Sequence, residues 1–92
     1  MAVTLRVPTI LRSLTGGESE LSVDGVGTLA ELLDKVDADH PGIRGRVLDD
    51  DGRIRRFVNV YVGEEDVRFA GGLATPTPDG VTVSIIPAVA GG

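Results

Sequence analysis

The chain has 92 residues, 41% of them hydrophobic and 25% charged, with a formal net charge of -5. That length fits one domain and not two, and the composition is that of a globular protein rather than a disordered one. The acidic balance argues against a nucleic-acid-binding surface, which needs clustered cations. The absence of cysteine excludes disulfides and a thiolate nucleophile.

Val3, Leu5 and Val7 alternate with Ala2, Thr4 and Arg6, which predicts a first strand ending at Pro8. Thr15-Gly16-Gly17 supplies a turn, and Leu21 and Val23 alternate with Glu20, Ser22 and Asp24 to give a second strand, paired with the first as a hairpin. The period then changes from two to about 3.6. Leu29, Leu32, Leu33 and Val36 share one helical face, and Thr28 with Glu31 three residues later has the form of a capping box. The helix is predicted to start at Thr28 and to end near Asp39 or His40, before Pro41 and Gly42. Ile43, Val47 and Leu48 predict an irregular or short helical piece.

Asp49-Asp50-Asp51-Gly52 forms an acidic turn, after which "RIRRFVNVYV" reads as a strand with Val58, Val60 and Val62 on one face and Phe57, Asn59 and Tyr61 on the other. Gly63-Glu64-Glu65-Asp66 predicts a turn, Val67-Arg68-Phe69 a short strand, and "AGGLATPTPDG" a loop. Val81, Val83 and Ile85 against Thr82, Ser84 and Ile86 predict the last strand, stopping at Pro87. One amphipathic helix covers one face of a sheet. The order therefore predicts an α+β fold of the β-grasp, or ubiquitin-like, type, with a mixed sheet of four to five strands and one main helix on one face. The whole chain, 1 to 92, is expected to be a single domain with a flexible tail from about 87 to 92.

Catalytic constellations lack parts. His40 is the only histidine and no serine has a G-x-S-x-G setting. His40, next to Pro41, suits the negative end of the helix. The aspartates at 49 to 51 fail the calcium-loop template, since position 60 is Val60 instead of a bidentate glutamate. Lys35 is followed by Val36 inside the helix, so no phosphate-binding loop is present. Gly71 and Gly72 are expected to serve backbone geometry at positive φ, and Glu64 and Glu65 a solvated turn. No catalytic residue and no metal ligand is assigned, and the chain is not expected to be an enzyme. Without a targeting or membrane segment in its first residues, the expected location is the cytoplasm.

Two features remain. Phe57, Tyr61 and Ile86 fall by phase on the sheet face away from the helix, where they predict a partner-binding face unless a bulge turns them into the core. The chain also ends in "PAVAGG". Five residues beyond Pro87 reach about 16–18 Å, enough to carry Gly92 away from the domain. Val89 and Ala90 make a slim tether, and Gly91 passes where a side chain would not.

A β-grasp order joined to "RFVNVYVGEEDVRFAGGLAT" and "DGVTVSIIPAVAGG" resembles the ThiS/MoaD-like family of ubiquitin-like sulfur carriers over essentially the whole chain, with most likeness to its cysteine-biosynthetic branch. The resemblance implies that the Gly92 carboxylate is adenylated by an E1-like activating enzyme using ATP and Mg²⁺, then converted to a thiocarboxylate. It implies no cofactor bound by the chain itself. Sulfur would pass to a pyridoxal-phosphate-dependent cysteine synthase, with a metallopeptidase releasing the product, or to a secondary-metabolite enzyme. By position, Ile86 matches an apolar residue that contacts the activating enzyme. Two alternatives share the fold: a ubiquitin-like protein modifier, and the small subunit of a molybdopterin-type synthase.

Overall fold

A computed structural model describes residues 2–87. Five strands form one mixed sheet in the order β2-β1-β5-β3-β4: β1 Val3–Arg6, β2 Glu20–Val23, β3 Val58–Val62, β4 Glu65–Asp66 and β5 Thr82–Pro87. Helix α1 (Leu29–Asp39) lies across one face, followed by the short α2 (Ile43–Val47). β1 pairs antiparallel with β2 as the expected hairpin, and parallel with β5 in the register Leu5 to Val83. The first and last strands thus lie side by side at the sheet's centre. This is the β-grasp fold.

The hydrophobic alternation produces this arrangement directly. Val3, Leu5, Val7, Val23, Val58, Val60, Val83 and Ile85 are buried and face Leu29, Leu32, Leu33 and Val36 of α1, while Leu21, Val62 and Val81 pack at the margin. Ile43, Val47 and Leu48 are buried too, so the expected short helical piece closes one end of the core. α1 begins as its sequence dictates. The Thr28 hydroxyl accepts from the Glu31 amide at 3.3 Å and the Glu31 carboxylate accepts from the Thr28 amide at 3.1 Å, satisfying two of the otherwise orphaned donors. His40 is its C-cap, donating its amide to the Val36 carbonyl.

Three segments differ from the sequence-based expectation. Thr9–Thr15 forms a 3-10 helix where only the closing turn was predicted; Leu11 and Thr15 are buried beneath it. The fourth strand is Glu65–Asp66, inside the stretch expected to be a turn, while the expected strand Val67–Phe69 is a 3-10 turn. The chain reverses at Gly63-Glu64, so that Glu65 and Asp66 already face Val62 and Tyr61. The Asp66 carboxylate then accepts from the Arg68 amide at 2.9 Å, favouring a turn over a continued ladder. The loop from 70 to 80 contains a 3-10 turn at Gly72–Ala74, and its Thr75 carbonyl accepts from the Leu29 amide. Gly72 does adopt positive φ, at 57°, but Gly71 does not; a Cβ at Gly71 would stand 3.3 Å from the Thr75 nitrogen. Gly72 therefore serves conformation, while a side chain at Gly71 would press closely on the Thr75 backbone.

Candidate functional site

β5 runs between β1 and β3, and its last described residue lies beside the start of β3. In the register, Pro87 faces Val58, Ile86 faces Asn59, Ile85 faces Val60 and Ser84 faces Tyr61. Alternation along this strand separates two environments one residue apart. Ile85 is 4% exposed and belongs to the core, whereas Ile86 is 48% exposed on the face opposite α1. Pro87 is the last described residue of β5 and lacks an amide donor, so it cannot extend the ladder as Ile85 does.

Tyr61 lies on the same open face, diagonal to Ile86 across the β3–β5 pair and half-buried. Diagonal side chains of this kind remain within reach of an aromatic ring. Phe57, expected by alternation within the strand, lies instead in the turn just before β3, because the chain turns from Arg55 to Val58, and it is 64% exposed. The guanidinium carbon of Arg56 stands 5.9 Å from its ring centroid, a cation–π distance. No bulge turns Phe57 or Ile86 inward. The rest of the open face is polar: Thr4, Arg6, Glu20, Ser22, Thr82 and Ser84 continue the rows on either side, with a 3.4 Å ion pair between Arg6 and Glu20. Ile86 is thus an apolar exception on this face, and exposed Phe57 directly precedes Val58, the register partner of Pro87.

A residue that the sequence did not single out holds this corner together. Arg68 donates from Nη2 to the carbonyls of Arg55 and Val58, each at 2.8 Å, and to that of Arg56 at 3.3 Å; its Nη1 donates to Asn59 Oδ1 at 2.8 Å. β4 pairs only with Tyr61 and Val62, leaving the first half of β3 without a strand on that side. One planar guanidinium supplies several donors there in a fixed fork. Nothing in the sequence distinguishes Arg68 from the seven other arginines.

Other sequence candidates have local roles. Asp49 Oδ1 accepts from the amides of Asp51 and Arg53 at 2.9 and 3.0 Å, so this carboxylate organises its own turn. The Lys35 ammonium donates to the Asp24 carbonyl beside β2. No helix among the described residues is long and apolar enough to cross a membrane. The predicted tail positions Val89, Ala90, Gly91 and Gly92 lie outside the described residues.

The ThiS family profile matches residues 5–92. The sulfur carrier protein CysO of Mycobacterium tuberculosis is 50% identical over 94 aligned residues, covering 100% of both chains. Small archaeal modifier protein 3 of Haloferax volcanii is 34% identical, again over 100% of both. In the crystal structure of the Amycolatopsis orientalis BexX/CysO complex, the similar chain superposes with a TM-score of 0.91 at 49% identity, covering 99% of this chain and 100% of that one. Fold, full-length identity and profile agree, and the chain belongs to the ThiS family, whose β-grasp members include named sulfur carriers.

Proposed function

We propose that this protein is a sulfur carrier whose reactive group is the Gly92 carboxylate. The observation that carries this reading is the family match that runs through residue 92, so that Gly91 and Gly92 fall within the matched region. The carboxylate, ionised at neutral pH, attacks the α-phosphorus of ATP on an E1-like enzyme. Pyrophosphate leaves and an acyl-adenylate forms. Sulfide then attacks the acyl carbon, the C–S bond forming as the C–O bond to AMP breaks; AMP leaves and loss of the proton from sulfur gives the thiocarboxylate. ATP and Mg²⁺ belong to the activating enzyme, and the carrier brings only its terminus and a surface to hold.

The cysteine-biosynthetic likeness favours a pyridoxal-phosphate-dependent cysteine synthase as acceptor, with a metallopeptidase restoring Gly92; a secondary-metabolite enzyme is the other acceptor class. Supporting the docking part of the reading, Ile86, Phe57 and Tyr61 stand near the described end of β5, and they would present the tail to the activating enzyme. Val89, Ala90 and Gly91 would thread the narrow approach to the active site.

Intact-mass measurement tests this. The chain is incubated with an activating enzyme from its own organism, ATP, Mg²⁺ and a sulfide source. Exchange of one oxygen for sulfur, located to Gly92 by fragmentation, is the expected result. Its absence with every such enzyme overturns the proposal. A second reading is favoured by the full-length similarity to a small archaeal modifier protein: the same adenylate would be captured by a lysine of a target protein. Stable, reductant-resistant adducts in a denaturing blot of cell lysate would mark that activity.

A further inference from the structure

The exposed Phe57 belongs to a turn, residues 55 to 58, whose first residue is anchored at α2, the Arg55 amide donating to the Val47 carbonyl at 2.9 Å and its Nε to the Gly45 carbonyl at 3.1 Å. One backbone hydrogen bond closes it, from the Val58 amide to the Arg55 carbonyl at 3.0 Å. The carbonyls of Arg55, Arg56 and Val58 all converge on the Arg68 guanidinium. The same guanidinium reaches Asn59 Oδ1, and Asn59 is the register partner of Ile86. Arg68 is itself oriented by Asp66, whose carboxylate caps its amide. A single charged group therefore ties the turn bearing Phe57 to the strand position opposite Ile86. Charge-assisted bonds of this kind are roughly twice as strong as neutral ones.

We infer that Arg68 is a positioning residue for partner recognition: it fixes the Arg55–Val58 turn so that Phe57 and Ile86 form one preorganised apolar contact for the activating enzyme. The inference rests on the carrier reading, which supplies that partner. Its physical basis is the cost of ordering. A turn already immobilised loses less conformational freedom on docking than a mobile one, and exposed apolar residues contribute most when presented together at the centre of a contact.

The test compares Arg68→Ala and Arg68→Lys with the unaltered chain and with Thr28→Ala, which weakens the helix cap without touching the turn. Amide exchange on the free protein reads the turn directly. Steady-state conversion by the activating enzyme reads recognition, with the carrier as varied substrate. In Arg68→Ala the Val58 amide exchanges at least about tenfold faster while Val60 keeps its protection, and KM for the carrier rises about tenfold with kcat unchanged. Arg68→Lys does not restore either value, because one ammonium cannot span four acceptors in a planar fork. Thr28→Ala leaves KM unaltered. Unchanged Val58 exchange in Arg68→Ala overturns the inference, as does a freed turn with an unchanged KM. Failure of the unaltered chain to be converted by any activating enzyme from its organism is a different result: it overturns the carrier reading, and the partner assignment falls with it.

Discussion

Ile85 and Ile86 are neighbours in β5, identical in chemistry and opposite in environment: one is packed beneath α1, the other is about half exposed on the far face of the sheet. Substitutions at the two positions should therefore separate stability from recognition. Ile85→Ala is expected to cost about 2–5 kcal/mol of folding stability, measured by denaturant unfolding. Ile86→Thr keeps a β-branched side chain and should stay within about 0.5 kcal/mol of the parent, yet raise KM for the activating enzyme. Equal stability losses at both sites would refute the assignment of faces.

Removal of Gly92 moves the terminal carboxylate back to Gly91, one residue short of where the carrier reading requires it, and takes away none of the core. The shortened chain should unfold at the same denaturant midpoint as the parent and gain no sulfur when incubated with activating enzyme, ATP and sulfide. Sulfur incorporation in the shortened chain would show that activation does not require the carboxylate at position 92.

The α1 cap offers a test of local energetics. Thr28→Ala removes the hydroxyl that accepts from Glu31 and leaves the Glu31 carboxylate facing an intact backbone. A loss of about 1 kcal/mol is expected, or roughly 4–8 °C in Tm for a domain of this size. A calorimetric scan showing no change would mean that Glu31, which also accepts from the Gly27 amide at 2.7 Å, suffices alone.

Thr77 is 2% exposed, and its hydroxyl has no hydrogen-bond partner among the described residues, although its amide donates to the Gly27 carbonyl. An unpaired buried hydroxyl is costly. Thr77→Val replaces it with a methyl group of similar shape, so the variant should equal or exceed the parent in stability, by up to about 1 kcal/mol. A clear loss in urea unfolding would show that a buried water serves the hydroxyl.

Much of this fold can be read along the chain because its signals are periodic. Alternation at Val3 to Val7, Val58 to Val62 and Val81 to Ile85 sorts side chains onto two faces without knowledge of neighbours, and the Leu29, Leu32, Leu33, Val36 stripe marks a helix in the same way. Thr28 and Glu31 define the helix start because capping acts within four residues. The same phase put Ile86 on the open face, and the structure agrees. The shift of the fourth strand to Glu65–Asp66 had no such signal, since two residues cannot show a period and their pairing depends on where the turn at Gly63-Glu64 delivers them. Thr9–Thr15 was equally hidden; its 3-10 conformation follows from how the chain must cross the end of the core between β1 and β2.

By itself, then, the sequence determined which residues are apolar together, where the helix begins, and that no disulfide can form, all properties of local spacing or of composition. Only the tertiary structure decided that β5 lies between β1 and β3, that Phe57 and Ile86 meet the solvent at one corner, and that Arg68 is the residue spanning it. Those relationships join positions from 9 residues apart, as Arg68 with Asn59, to 78 apart, as Leu5 with Val83. They arise because burying one continuous apolar face forces distant strands into a single register.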